Sequence, residues 1–167
     1  MKKIFLLVIV ILSISGCKKS INTPTSRVEE FLKEYQTITP TVRERLKNSV
    51  KNEELNSNQK EKYISLLEKQ YQNLSYKIVN EEVNNDKAVV DVEIEVLNYS
   101  YEIAACKKYY LAHKDEIPDY NDYMLNELEK VTDKIKYKFS IDLTMYDGVW
   151  ELDEIDNSII QKIHGLF

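Results

Sequence analysis

From Ile135 to Tyr146 apolar and polar residues alternate without a break: Ile135, Tyr137, Phe139, Ile141, Leu143 and Met145 on one side, Lys136, Lys138, Ser140, Asp142, Thr144 and Tyr146 on the other. An α-helix repeats its apolar face every 3.6 residues and cannot carry this pattern, so the segment is a strand with one face buried. A slip of one residue in its pairing would turn the charged set into the core, which fixes the register firmly. Asp147-Gly148 then supplies a hairpin turn, and Val149, Trp150, Glu151 and Leu152 return along the strand.

A second hairpin precedes this one. Leu74, Tyr76 and Ile78 alternate with polar residues, Asn84-Asn85-Asp86 makes a turn, and Ala88, Val90, Val92, Ile94 and Val96 alternate again. The opposite face of that strand holds Val89, Asp91, Glu93, Glu95 and Leu97. Glu93 and Glu95 complement Lys136 and Lys138, which predicts antiparallel pairing of the second and third strands and a four-stranded meander.

The rest of the chain has helical period. Ser26 with Glu29 reads as a capping box ahead of Val28, Phe31, Leu32, Tyr35 and Ile38. Thr39 caps a second helix with Pro40 at its first position and Val42, Leu46 and Val50 on one face. Asn58 with Glu61 opens a third, with Tyr63, Leu66, Leu67 and Tyr71 inward. Between the hairpins lies a helical excursion, Tyr101 to His113 and, after Pro118, Tyr120 to Val131. Asp156 caps a last short helix, and Gly165 followed by Leu166 fits a Schellman stop. Helices gathered ahead of an antiparallel sheet predict an α+β fold, amphipathic N-terminal helices packed on a curved four-stranded antiparallel sheet.

Composition narrows the chemistry. All three glycines are accounted for by Gly16, the Gly148 turn and the Gly165 stop, so no phosphate-cradling loop can be written. Two distant histidines and two distant cysteines give no zinc or redox motif, and no cofactor is expected. Cys106 reads as a buried structural thiol, and His113 and His164 as surface residues near helix ends. Asp115, Glu116, Asp119 and Asp122 cluster around Pro118, without the glycine of a calcium loop, and read as a solvated acidic loop.

At the start of the chain, Lys2 and Lys3 precede the apolar run Ile4 to Leu12, the pattern of a signal peptide. The run ends in Ile14-Ser15-Gly16-Cys17, which resembles the lipobox of bacterial lipoproteins. That resemblance implies a signal peptide over 1–16, diacylglycerol on the Cys17 sulfur, a short lipidated tether over 17–25 and a single domain over 26–167. The expected location is the extracytoplasmic face of the cell membrane. Without Lys2 and Lys3 the 23 basic residues fall to 21 against 28 acidic ones, a net charge of −7 that disfavours nucleic acid as a partner. Frequent Lys, Asn and Ile suggest a low-GC Gram-positive cell.

The amphipathic N-terminal helices, the four-stranded sheet and the ending Asp-Gly-Val-Trp-Glu-Leu-Asp at 147–153 are similar to small lipoproteins with the NTF2-like (cystatin-like) fold. In that family the sheet wraps a long helix as a cone around an apolar cavity, and its acid/base enzymes place a carboxylate and a phenol inside. Here the carboxylates Asp91, Glu93, Glu95 and Asp142 fall on the outward face, which disfavours such an enzyme. The expectation is a non-catalytic binding or accessory domain. The alternative is an enzyme on a small apolar substrate, with Tyr137 as the polar group of its cavity. Six of the 12 tyrosines, Tyr99, Tyr101, Tyr109, Tyr110, Tyr120 and Tyr123, fall in the helical excursion. They either pack this layer or form a contact surface for a protein, peptide or glycan near the membrane.

Overall fold

The structure, a computed structural model, describes residues 22–167. The signal peptide, Cys17 and most of the expected tether lie outside the described residues. Ten elements follow in order: α1 (Pro24–Thr37), α2 (Pro40–Val50), α3 (Ser57–Asn73), β1 (Ser75–Asn84), β2 (Lys87–Leu97), α4 (Tyr99–Ala112), α5 (Tyr120–Lys130), β3 (Lys134–Tyr146), β4 (Val149–Leu152) and α6 (Asn157–Ile163). The fold is α+β, and the four strands form one open antiparallel sheet in the order β1-β2-β3-β4.

The pairing of β2 with β3 is the one that the charges predict, with Glu93 opposite Lys138 and Glu95 opposite Lys136. Glu93 lies 3.6 Å from the ammonium groups of both lysines. On the other face Val90, Val92, Ile94, Ile141 and Leu143 are buried against the helices. Asp147 and Gly148 both take positive φ, 49° and 79°, as a two-residue turn between twisted strands requires. β1 runs well past the predicted Leu74–Ile78 stretch. A bulge at Val79 shifts the register between Ile78 and Asn80, which broke the alternation at sequence level.

Three helix starts differ from those expected, α4 among them, which begins at Tyr99 under an Asn98 cap rather than at Tyr101. Thr23, not Ser26, caps α1: its hydroxyl accepts from the Ser26 amide at 3.1 Å, and Ser26 Oγ accepts from the Thr23 amide at 3.0 Å. Pro24 at the first helical position fixes that choice, because its missing N–H is harmless only there. The packed chain therefore begins before residue 26. The Asn22 side chain already donates to the Gly148 carbonyl at 2.6 Å and accepts from the Trp150 amide at 3.1 Å. In α3 the capping pair is Asn56 and Gln59 rather than Asn58 and Glu61. Both pairs satisfy the cap pattern, and only the earlier one brings Gln59 against α5.

The core has two parts. The larger joins the inner face of the sheet to α1, α2, α3 and α6. The smaller, Leu66, Leu97, Tyr99, Leu125 and Leu128, joins α3 to the α4–α5 layer. Between them the Gln70 carboxamide is completely buried. It accepts from the Leu97 amide at 2.7 Å and donates to the Leu97 and His164 carbonyls at 2.8 and 2.9 Å. Gly165 ends α6 as a Schellman stop, with Leu166 N–H bonded to the Gln161 carbonyl and Gly165 N–H to that of Lys162. Its φ is +69°, and a Cβ there would stand 2.2 Å from Gln70 Nε2 and from the Leu97 oxygen, so glycine alone lets this corner close. Among the described residues no helix is long and apolar enough to cross a membrane.

Phe139, expected in the core, is only half-buried, so the sheet is better probed at Ile94, which is fully enclosed. Ile94→Ala should cost about 2 to 5 kcal/mol in urea unfolding, whereas Glu93→Ala should cost less than about 1 kcal/mol. Equal costs would contradict the assignment of the two faces.

Candidate functional site

The six tyrosines singled out by sequence divide by helical phase. Tyr99, Ile103, Cys106 and Tyr110 follow one another every three or four residues along the inward side of α4. Tyr99 is completely buried, and its hydroxyl donates to the Leu66 carbonyl at 3.1 Å. It belongs to the packing and not to a contact surface, a correction to the sequence reading. Burial, with Tyr63 as a lesser influence, holds the Tyr99 phenol well above its ordinary pKa.

Tyr101 and Tyr109 lie off that side and are 70% and 47% exposed. The Tyr109 ring stacks on His113 at 4.1 Å and on Tyr123 of α5 at 5.7 Å, so this exposed face is held rigid by aromatic neighbours. Ala104 and Ala105 lie between the tyrosines, and with Lys108, Ala112 and His113 they line an open groove of about 600 Å3 along α4. Tyr110 and Tyr120 are half-buried with ring centroids 5.0 Å apart, and they line a second groove, of about 550 Å3, on the side of α4 that faces the 51–56 connection.

Cys106 is the buried, free thiol expected. Its sulfur lies 3.7 Å from Glu102 Oε1, and burial together with that carboxylate pushes its pKa up to about 11, leaving it unreactive at neutral pH. Of the acidic cluster, Asp119 caps α5 by accepting from the Asn121 and Asp122 amides at 2.8 and 3.1 Å. Those amides, that of Asp122 foremost, lower its pKa. Gln59 Nε2 donates to both Asp119 and Asp122, at 3.1 and 2.9 Å, so these two carboxylates join α5 to α3.

Tyr137, the residue assigned to a catalytic cavity in the alternative reading, donates to the Phe167 carbonyl at 2.8 Å. The carboxylates of Asp91 and Glu93 stand on the opposite face of the sheet, where Asp91 accepts from Ser140 at 2.6 Å and Glu93 pairs with two lysines. No base faces Tyr137 from these positions.

His164 departs from expectation. It is 7% exposed rather than on the surface, and its Nε2 lies 2.7 Å from the Tyr71 hydroxyl. Tyr71 in turn meets Tyr35 edge-on at 4.9 Å, which links α6 through α3 to α1. Helix ends usually face water, but here the Schellman corner folds back onto Gln70 and carries His164 inside.

Comparison of the chain with protein-family models, with curated proteins and with solved structures finds no match.

Burial pushes the His164 pKa down to about 4 from an ordinary value near 6.5, so the fold favours the neutral ring. A group held neutral in this way contributes fully above pH 6.5. Its contribution is lost as the unfolded chain binds a proton that the folded one refuses. Stability should therefore fall by up to about 3 kcal/mol between pH 6.5 and 4 on this account. Urea unfolding at pH 7.5 and 4.5 should show that loss in the parent and a smaller one in His164→Gln. The same loss in both proteins would place the titration elsewhere.

Proposed function

We propose that the protein is a lipoprotein, cleaved ahead of Cys17 and anchored there by diacylglycerol on the extracytoplasmic face of the cell membrane. Its domain acts as a non-catalytic binding or accessory module of NTF2-like type. The contact region is the outer part of the α4–α5 layer, with Tyr101 and Tyr109 at its centre and Tyr110, Tyr120 and Tyr123 supporting it.

The observation that carries this reading is where the layer sits relative to Asn22, the first described residue. Asn22 is bonded to the β3–β4 hairpin at Gly148 and Trp150. α4 begins and α5 ends at the other end of the sheet, where Leu97 pairs with Lys134. The 13 residues of β3 between these points span about 40 Å. Residues 18–21 add at most about 14 Å of reach. A domain held through Cys17 thus keeps its hairpin end near the bilayer and turns the tyrosine layer toward whatever lies beyond it.

Exposed tyrosines suit such a role because each offers a large apolar face with a polar tip and few rotors to freeze on binding. Two of them stand about two turns apart on one helix with Ala104 and Ala105 between them and Lys108 and His113 in the same groove, an exposed aromatic surface of the kind that marks an interaction site. The enzymatic alternative has less to stand on, since the Tyr137 hydroxyl is engaged with the Phe167 carbonyl.

Photo-crosslinking residues placed at Tyr101 and Tyr109 in intact cells should yield specific adducts, while the same residue at Lys77 or Glu151 on the outer face of the sheet should not. Tyr101→Ser with Tyr109→Ser should reduce adducts from a probe at Ala105 about tenfold, a loss of about 1.4 kcal/mol, while the domain still unfolds cooperatively with a melting temperature lowered only by the loss of the Tyr109 stacking. Cys17→Ala should abolish lipid attachment to the mature chain. Adducts concentrated at Lys77 or Glu151, or a diacylglycerol-free wild-type terminus, would overturn this reading.

A further inference from the structure

The second groove of the α4–α5 layer has a chemistry that the outer groove lacks. It lies between the 51–56 connection, α3, α4 and α5, and its volume of about 550 Å3 is within the range of small-ligand sites. Three phenol rings reach it, Tyr63 from α3, Tyr110 from α4 and Tyr120 from α5, with Leu55, Ile103, Leu111 and Met124 as apolar lining. The Tyr110 and Tyr120 rings are inclined at 50° to each other and so form a corner rather than a flat stack.

Two carboxylates, Glu53 and Glu54, stand on the rim. Both residues are exposed, and among the described residues neither side chain makes an ion pair or a hydrogen bond. Glu53 is close enough to Tyr63 to add to the effect of burial, which raises that phenol's pKa to about 12. The one amide on the rim, Asn121, already donates to the Glu54 carbonyl at 3.3 Å, so the groove lacks the free amides that hold a sugar. Lys107 is the single cation of the lining, and its exposed side chain is free to turn to solvent.

Aromatic faces carry the negative lobe of the ring quadrupole and attract a cation that has already shed most of its water, as an alkylated ammonium does. Carboxylates at the edge supply the balancing charge without coming into contact with the apolar lining. An anion would meet both glutamates, and a neutral apolar molecule would displace their water for nothing in return.

We propose that this groove binds a small organic ammonium ion, with its alkylated head against Tyr63, Tyr110 and Tyr120 and its charge balanced by Glu53 and Glu54. The assignment rests on the reading of the α4–α5 layer as a binding region and names the ligand class of one part of it.

Calorimetric titration of the full chain in detergent with choline chloride tests it, with sodium chloride as the ionic control and 3,3-dimethylbutan-1-ol as the uncharged isostere. Choline should bind saturably and about tenfold more tightly than the isostere. Glu53→Gln with Glu54→Gln, exposed positions that leave the fold intact, should weaken choline about fivefold and leave the isostere unchanged. Tyr120→Leu should weaken choline about tenfold, while Tyr101→Ser in the outer groove should have no effect. Equal affinity for the isostere, or indifference to the glutamate substitutions, would overturn the proposal. If choline fails to saturate below about 50 mM while Tyr101 still yields adducts in cells, the groove assignment falls and the binding-region reading stands.

Discussion

The carboxamide of Gln70 is bonded on every side, and three parts of the chain meet at it. Its oxygen receives the Leu97 amide and its nitrogen serves the carbonyls of Leu97 and His164. An apolar residue in its place would leave those backbone groups buried and unpaired, each at a cost of about 1 to 3 kcal/mol. The junction fixes the end of β2 against α3, and it holds the Schellman corner of α6 on both. From that corner the Gly165 carbonyl accepts the Ser100 amide at 2.7 Å, so the first turn of α4 is set by the corner that follows α6.

The position of the tyrosine layer follows from this corner. α4 and α5 rest on α3 through Leu66, Tyr99, Leu125 and Leu128, and through the Gln59 bridge to Asp119 and Asp122. Gln59 and Gln70 lie 11 residues apart on the same side of α3, one near each end of the layer. A helix with two amides in its apolar stripe has a single way to meet α5 and the end of β2, whereas an all-apolar stripe would slide. That rigidity is what allows α4 to carry exposed Tyr101 and Tyr109 in a fixed arrangement.

Much of the frame could be read from sequence because its signals are local. Period-2 alternation marked β2 and β3, the Glu93 and Glu95 charges set their pairing, and Asp147-Gly148 and Gly165 marked their turn and stop. Cap positions were less certain because neighbouring residues offered competing patterns, Thr23 against Ser26 and Asn56 against Asn58. The burial of His164 was not legible at all. It depends on Tyr71, 93 positions away, and on a fold-back that no neighbouring residue announces. Two signals were present but unused: the glutamines on the apolar stripe of α3, and the helical phase that separates Tyr99 and Tyr110 from Tyr101 and Tyr109.

If Gln70 seats the α4–α5 layer, its loss should loosen that layer before it loosens the sheet. Native-state hydrogen exchange on Gln70→Leu measures this directly. Amides of Ser100 and of α4 should exchange at least about tenfold faster than in the parent, while those of Val90 to Ile94 keep their protection within about threefold. Parental protection throughout α4 would show that the layer is seated by other contacts and that the Gln70 corner is incidental to it.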